Sequence, residues 1–267
     1  MTNKELYDFF NEYLRTATFP VAIKLTQDEQ PPPKVKFARD IYKYRIAVCQ
    51  GIAAARRLGR TMAFTAQDHA CGLSHVYLGH KVENEAYKEG KFVHPLYVKD
   101  MEAAARTAAR EIHLEEGTFK TMIVAPLHRA DFEPDIIIIY GNGAQIVRCI
   151  QGELFNEGGA IDSSFMGRCA CGAYITVPFK LKKCNVVIPG GGERVFAMTA
   201  DDELAFAIPK ERIQNIVEGI RGTHNTGVAR IPTPFFGITA NPAFPSCYEE
   251  LDRYVGIKAG GEAENTK

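Results

Sequence analysis

Leu6, Phe9, Phe10 and Leu14 recur at the spacing of one helical face, so residues 3–15 are predicted to form an amphipathic helix. The apolar run Pro20-Val21-Ala22-Ile23-Lys24-Leu25 then predicts a first strand. Pro31-Pro32-Pro33 breaks the pattern and fits a surface polyproline spacer. Across residues 41–58, Ile46, Cys49, Ile52 and Ala53 mark a helix with a small-residue face, which Gly59 closes as a C-cap. Met62-Ala63-Phe64-Thr65 is strand-like. At its end stands Asp68-His69-Ala70-Cys71-Gly72, where Asp68 reads equally as a helix cap and as a functional carboxylate.

Met101, Ala104, Ala105, Ala108 and Ile112 space as a helix capped by Asp100. Two strands follow, over residues 120–125 and 135–140. The unbroken Ile136-Ile137-Ile138-Ile139 run of the second predicts burial on both faces. Gly141-Asn142-Gly143 turns the chain into a helix over residues 144–155 that carries Cys149. Strand-like patterns recur at residues 174–179, 184–189, 194–198 and 203–209, with a closing helix over residues 211–220. Gly190-Gly191-Gly192 lies among them and reads as a β-turn in preference to a nucleotide loop, since no Lys-Ser/Thr follows. Phe235, Phe236 and Phe244, set between prolines in residues 232–245, read as core or interface packing. Residues 260–267 have no apolar periodicity and read as disordered.

One regularity cuts across these elements. Cys49, Gly59, Ala70, Cys71 and Gly72 are matched one hundred residues later by Cys149, Gly159, Ala170, Cys171 and Gly172. Five identities at one offset, two of them cysteines in a chain that has seven, indicate an internal repeat. The expected fold class is therefore α+β, with two sequence-related α/β repeats packed about a pseudo-twofold axis. The repeats would occupy residues 1–116 and 117–222, and residues 223–267 would form an extension and flexible tail.

Composition narrows the function classes. Thirty-two basic and thirty-two acidic side chains leave no net field to hold a polyanion, and no Lys/Arg block occurs, which argues against a nucleic-acid or membrane-surface partner. No run approaches the roughly 18 apolar residues that span a bilayer, and the polar first residues do not resemble a secretory signal. A cytoplasmic location is expected. An odd number of cysteines in a chain with ample core points to reduced thiols in preference to a disulfide framework.

The order of a Cys-bearing helix, Gly, strand and Cys-Gly, then Asp201-Asp202-Glu203-Leu204-Ala205-Phe206-Ala207-Ile208-Pro209 and a closing helix, resembles the family known as domain of unknown function 169 over roughly residues 5–255. The resemblance supplies no activity. Many members of that family carry a Gly-Cys-x-Gly-Cys-Arg run before the Asp-Asp-Glu segment, where this chain has Gly190-Gly191-Gly192-Glu193-Arg194. A cluster-binding role resting on that additional cysteine pair does not carry over.

The remaining cysteines have chemistry of their own. Thiolates are soft metal ligands, and Cys169-x-Cys171 brings two sulfurs together in an extended or turning segment. If the repeats face each other, His69, Cys71, Cys169 and Cys171 form a Cys₃His set suited to zinc or an iron-sulfur cluster. Arg168, Gly172 and Arg194, beside the Cys-x-Cys and glycine-rich segments, are the expected cofactor contacts. Cys49, Cys149 and Cys184 read as packing residues, because free cysteine is often buried. His75 and His80 read as surface or hydrogen-bonded histidines. The expected function is a metal- or iron-sulfur-binding redox or cofactor-handling factor. The alternative is a module that binds a small molecule in the same cleft without a metal, and a homodimer is compatible with either. No catalytic constellation stands out.

Overall fold

A computed structural model describes residues 1–227, 230 and 246–256. Within them the chain is a mixed α/β fold built on one six-stranded sheet of order β2-β3-β1-β4-β6-β5, every neighbouring pair antiparallel. The strands are β1 (Val21–Thr26), β2 (Met62–Phe64), β3 (Thr121–Pro126), β4 (Ile136–Gly141), β5 (Asn185–Val187) and β6 (Leu204–Pro209). The helices are α1 (Asn3–Leu14), α2 (Ala38–Tyr42), α3 (Val48–Leu58), α4 (Gly72–Tyr77), α5 (Glu85–Lys88), α6 (Met101–Ala108), α7 (Gly143–Leu154), α8 (Val177–Leu181), α9 (Gly191–Phe196), α10 (Ile213–Asn225) and α11 (Ser246–Tyr254). Residues 232–245 and 260–267, for which packing and disorder are expected, lie outside the described residues.

Period-two alternation sends the sheet's side chains to two cores. Val21, Ile23, Ile136 and Ile138 face α3 and the segment around Tyr174. Ala22, Ile137, Ile139, Phe206 and Ile208 face α1, α7 and α10. The four isoleucines of β4 are fully buried because both faces are covered, as their unbroken run predicts. Local signals set the helix starts. Thr2 and Glu5 cap α1 reciprocally, Asn142 and Gln145 do the same for α7, and the Asp100 carboxylate accepts from the Ala103 amide at 2.8 Å to start α6.

Five sequence expectations are corrected. The helix anticipated over residues 41–58 is two helices, because Lys43 turns left-handed (φ 63°) and Ile46 leaves to bridge with His69. Residues 174–179 are not a strand; they pass through a π-helical turn, Gly172–Thr176, into α8. Pro178 has no N–H for a ladder and sits in the first turn of α8, while Tyr174, Ile175 and Thr176 are buried in succession, which no half-covered strand allows. Residues 194–198 are largely the second half of α9, and Gly190-Gly191-Gly192 starts that helix where a β-turn is expected. The apolar pair behind the strand reading, Val195 and Phe196, is exposed.

The fifth correction concerns the pseudo-twofold. β1 and β3 lie one hundred residues apart and pair antiparallel, Thr26 opposite Thr121. A twofold that relates such neighbours runs perpendicular to the sheet and leaves each helix on its own face. However, α3, with Cys49, packs on one face and α7, with Cys149, on the other. Residues 162–164, the counterpart of β2, form no strand. Two repeats about one axis are therefore not what the sheet builds, since strands from both halves interleave within it.

Candidate functional site

A cleft of about 490 Å³ opens where α3, the start of α4, residues 168–174 and the start of α9 meet. Its walls carry Cys49, Cys71, Cys169 and Cys171, together with Arg168, Glu193 and the aromatic rings of Tyr97, Tyr174 and Phe196. Each segment is placed by local structure. The Gln50 side chain accepts from the Ala47 amide at 2.9 Å, which fixes the first turn of α3 and Cys49 on it. Cys169 is left-handed at φ 53°, a region that L side chains rarely adopt, and its carbonyl accepts from the Gly172 amide at 3.1 Å. That tight turn puts Cys169 and Cys171 on the same wall.

Burial dominates the electrostatics of this wall. It pushes the Cys49 thiol up to about 12, with Glu193 and Cys71 adding to the effect. It raises Cys171 well above the ordinary thiol range, and the neighbouring thiols reinforce the shift. Cys169 is raised by burial against the opposing pull of Arg168 and Tyr77. Glu193 is raised for the same reason, although Tyr140, which donates to its Oε1 at 2.8 Å, and Arg56 resist the shift. Burial thus works against ionisation of Cys49, Cys169, Cys171 and Glu193 alike. Iodoacetamide near neutral pH is expected to leave Cys49 unmodified in the folded protein, because the thiolate is the reactive form. Peptide mass spectrometry reads the result, and labelling of Cys49 at the rate of the unfolded chain would contradict it.

Behind Cys169 runs a buried polar chain. Arg168 donates to the Cys169 sulfur at 3.3 Å, lies 4.6 Å from the Phe92 ring centre and is ion-paired with Glu111. Glu111 accepts from the Tyr87 hydroxyl at 2.8 Å and faces His113, which in turn contacts Glu83. Burial lowers His113 and the Glu83 carboxylate opposes that shift. The chain fixes Arg168, and through it one side of the cleft.

The structure brings together Cys71, Cys169, Cys171 and Arg168 of the residues expected at a site, and adds Cys49. His69 does not join them. Residues 68–70 are extended by bridging with Ile46, so Ala70 lines the cleft while His69 points the other way, against Phe64, His75 and His80. Gly172 is buried against Tyr77, where a Cβ would come within 2.5 Å of ring carbon Cδ1. Arg194 bonds the Ala200 carbonyl and closes its own loop. Asp68 is a structural anchor, accepting from the Thr65 and Arg39 amides and from the Arg39 guanidinium. Among the described residues, no group of three or more His, Cys, Asp or Glu side chains stands in metal-holding geometry, and no helix is long and apolar enough to cross a membrane.

By sequence alone Cys49 reads as a packing residue and Glu193 has no evident role. A stronger signal for Cys49 was available in its fixed spacing from Cys71, repeated by Cys149 and Cys171.

An uncharacterized protein of Methanocaldococcus jannaschii is 28% identical over 214 residues, which cover 75% of this chain and 85% of that protein. No solved structure matches. The family described as uncharacterised ArCR matches residues 10–219, a span that holds the whole sheet and every residue named in the cleft. The chain belongs to this family, domain of unknown function 169, as its Cys-Gly and Asp-Asp-Glu segments suggest.

Proposed function

We propose that the cleft binds a small, largely apolar molecule and orients it through Arg168 and the carboxyl of Glu193. The observation that carries this reading is the cleft itself. About 490 Å³ walled by alanine, leucine and aromatic side chains, with few polar groups, is the usual make-up of a small-molecule site. The Glu193 carboxyl offers the ligand a hydrogen-bonding group, and the apolar walls exclude water from it. All seven cysteines are unpaired, the state that a reducing compartment keeps, which supports a cytoplasmic binder.

The test uses a feature of the composition. The chain has no tryptophan, so Phe196→Trp places a single indole at the rim of the cleft. Phe196 is 64% exposed, and the exchange leaves the core untouched. Small molecules extracted from the natively purified protein are expected to shift the emission of this variant saturably. An extract without effect, from protein that also carries no ligand by native mass spectrometry, would overturn the reading.

A second reading rests on a different observation, the four cysteines from three separate segments on one wall. We infer that Cys49, Cys71, Cys169 and Cys171 would be the residues to hold zinc or an iron-sulfur cluster there. Burial raises the Cys49, Cys169 and Cys171 thiols and so opposes ligation, and a cationic centre would have to displace their protons. Metal and sulfide content of protein prepared without oxygen tests this reading. Cys169→Ser with Cys171→Ser is expected to abolish any such centre and leave the fold intact.

A further inference from the structure

Tyr97 borders the cleft, and its neighbour Val98 borders a second cavity, an open groove of about 520 Å³ between α6 and residues 164–166. The charged side chains of this groove are Arg106 and Arg110, its other polar side chains are the hydroxyls of Thr107 and Ser164, and no carboxylate lines it. The two arginines stand four residues apart at the end of α6, a spacing at which like charges repel. Arg106 meets only the exposed carboxylate of Glu102, one turn back on the same helix. Arg110 has no acidic partner among the described residues. Arginines that line other cavities are matched by acids: Arg56 and Arg57 by Glu203, Arg212 by Glu153 and Glu157, Arg39 by Asp68, and Arg168 by Glu111. Cations near a helix C-terminus complement its dipole, but that role explains neither the absence of acids from the groove nor the exposed Phe165 ring that a distant segment brings to it.

We propose that this groove is a binding site for a phosphate monoester with an apolar body, separate from the ligand of the cleft. A phosphate monoester is close to a dianion at neutral pH and presents three acceptor oxygens, which matches two guanidinium groups better than the single charge of a carboxylate does. Arg110 is free to meet it. Arg106 gives up only a solvent-exposed ion pair with Glu102, the kind that contributes little to the fold. The Thr107 hydroxyl already donates to the Ala103 carbonyl at 2.9 Å, so Ser164 is the hydroxyl that can donate to a phosphate oxygen. Phe165, Met166 and Val98 supply the apolar surface for the organic body, and inorganic phosphate would leave that surface uncovered. The zero net charge of the chain does not oppose this site, because the attraction is local to two side chains.

The probe is phenyl phosphate, titrated into the full chain and followed by phosphorus NMR and calorimetry, with inorganic phosphate and benzoate as comparisons. One saturable equivalent of phenyl phosphate is expected, weakened by high salt, with inorganic phosphate and benzoate each bound more weakly. Arg106→Gln with Arg110→Gln alters two exposed positions and is expected to weaken phenyl phosphate by about tenfold or more, with circular dichroism confirming the fold. Phe165→Ser is expected to bring phenyl phosphate down to the affinity of inorganic phosphate. Absence of a saturable equivalent, or binding unchanged in the double arginine variant, would overturn the proposal. Benzoate bound as tightly as phenyl phosphate would overturn the assignment to a phosphate, and a preference over inorganic phosphate that survives Phe165→Ser would overturn the assignment of the apolar body to this wall.

Discussion

Arg56→Ala is expected to lower the stability of the fold by about 3 kcal/mol, the low end of the cost of breaking a buried ion pair, because it removes the buried partner of Glu203 and leaves that carboxylate only the half-buried Arg57 and a backbone amide. The Arg56 side chain is 1% exposed. It donates to both oxygens of Glu203, at 2.6 and 3.0 Å, and its guanidinium lies 4.1 Å from the Tyr140 ring centre. Glu203 also pairs with Arg57 and accepts from the Ala200 amide, so it ties α3 to the loop that enters β6. Arg56→Ala with Glu203→Ala is expected to be less destabilising than the sum of the single changes, since the double variant leaves only the partly exposed Arg57 without its partner. Urea unfolding followed by circular dichroism measures all three. A cost for Arg56→Ala within the range of an exposed substitution would show that the pair is solvated in solution.

The same pair sets a sign for pH. Burial acts to raise Glu203, but Arg56, the Ala200 amide and Arg57 outweigh it and hold the carboxyl below its ordinary range. A carboxylate lowered in the folded state contributes stability that is present above the unfolded value of about 4.3 and is lost as pH falls through the lowered folded value. The pH dependence of stability below about 4.5 should therefore flatten in Glu203→Gln.

How much of this was legible in the chain depended on whether neighbours along the sequence or neighbours in space decided the matter. The isoleucine run of β4, the Asn142 cap of α7 and the face of α1 are local signals, and each element appears where its pattern places it. Tyr174-Ile175-Thr176-Val177 has the composition of a strand. Its conformation is decided by Pro178 and by contacts that lie far off in sequence, Thr176 Oγ1 donating to the Tyr77 carbonyl at 3.2 Å among them. The candidate site divides in the same way. Cys71, Cys169 and Cys171 stood out by their spacing, whereas Cys49 reads as a packing residue until α9 is seen opposite. His69 illustrates the limit of motif reading. It is next but one to Cys71 in sequence, yet the bridge to Ile46 turns it toward His75 and His80 and away from the thiols.

The other large effect is expected at the crossing of α7 and α10, where no side chain separates the helices. A Cβ on Gly219 would fall inside the carbonyl oxygen of Gly152, and a Cβ on Gly152 would come within 2.6 Å of Ile220 Cγ1. The obstacle at Gly219 is backbone, which has no alternative rotamer, so relief requires the helices to separate. That movement would open contacts of Ile146, Ile216, Val217 and Ile220, all buried against β4 and β6. Gly219→Ala is accordingly expected to destabilise the protein by about 3 kcal/mol or more, at or beyond the usual range for overpacking, even though alanine is the better helix former. Gly143→Ala is the matched control. It lies in the first turn of α7 with nothing within 4 Å of its would-be Cβ, so the substitution should be neutral or add about 0.5 kcal/mol by restricting the unfolded chain. Parallel urea titrations of the two variants decide the point. A Gly219→Ala protein as stable as Gly143→Ala would mean that the two helices do not meet backbone to backbone, and the packing of this whole face of the sheet would have to be redrawn.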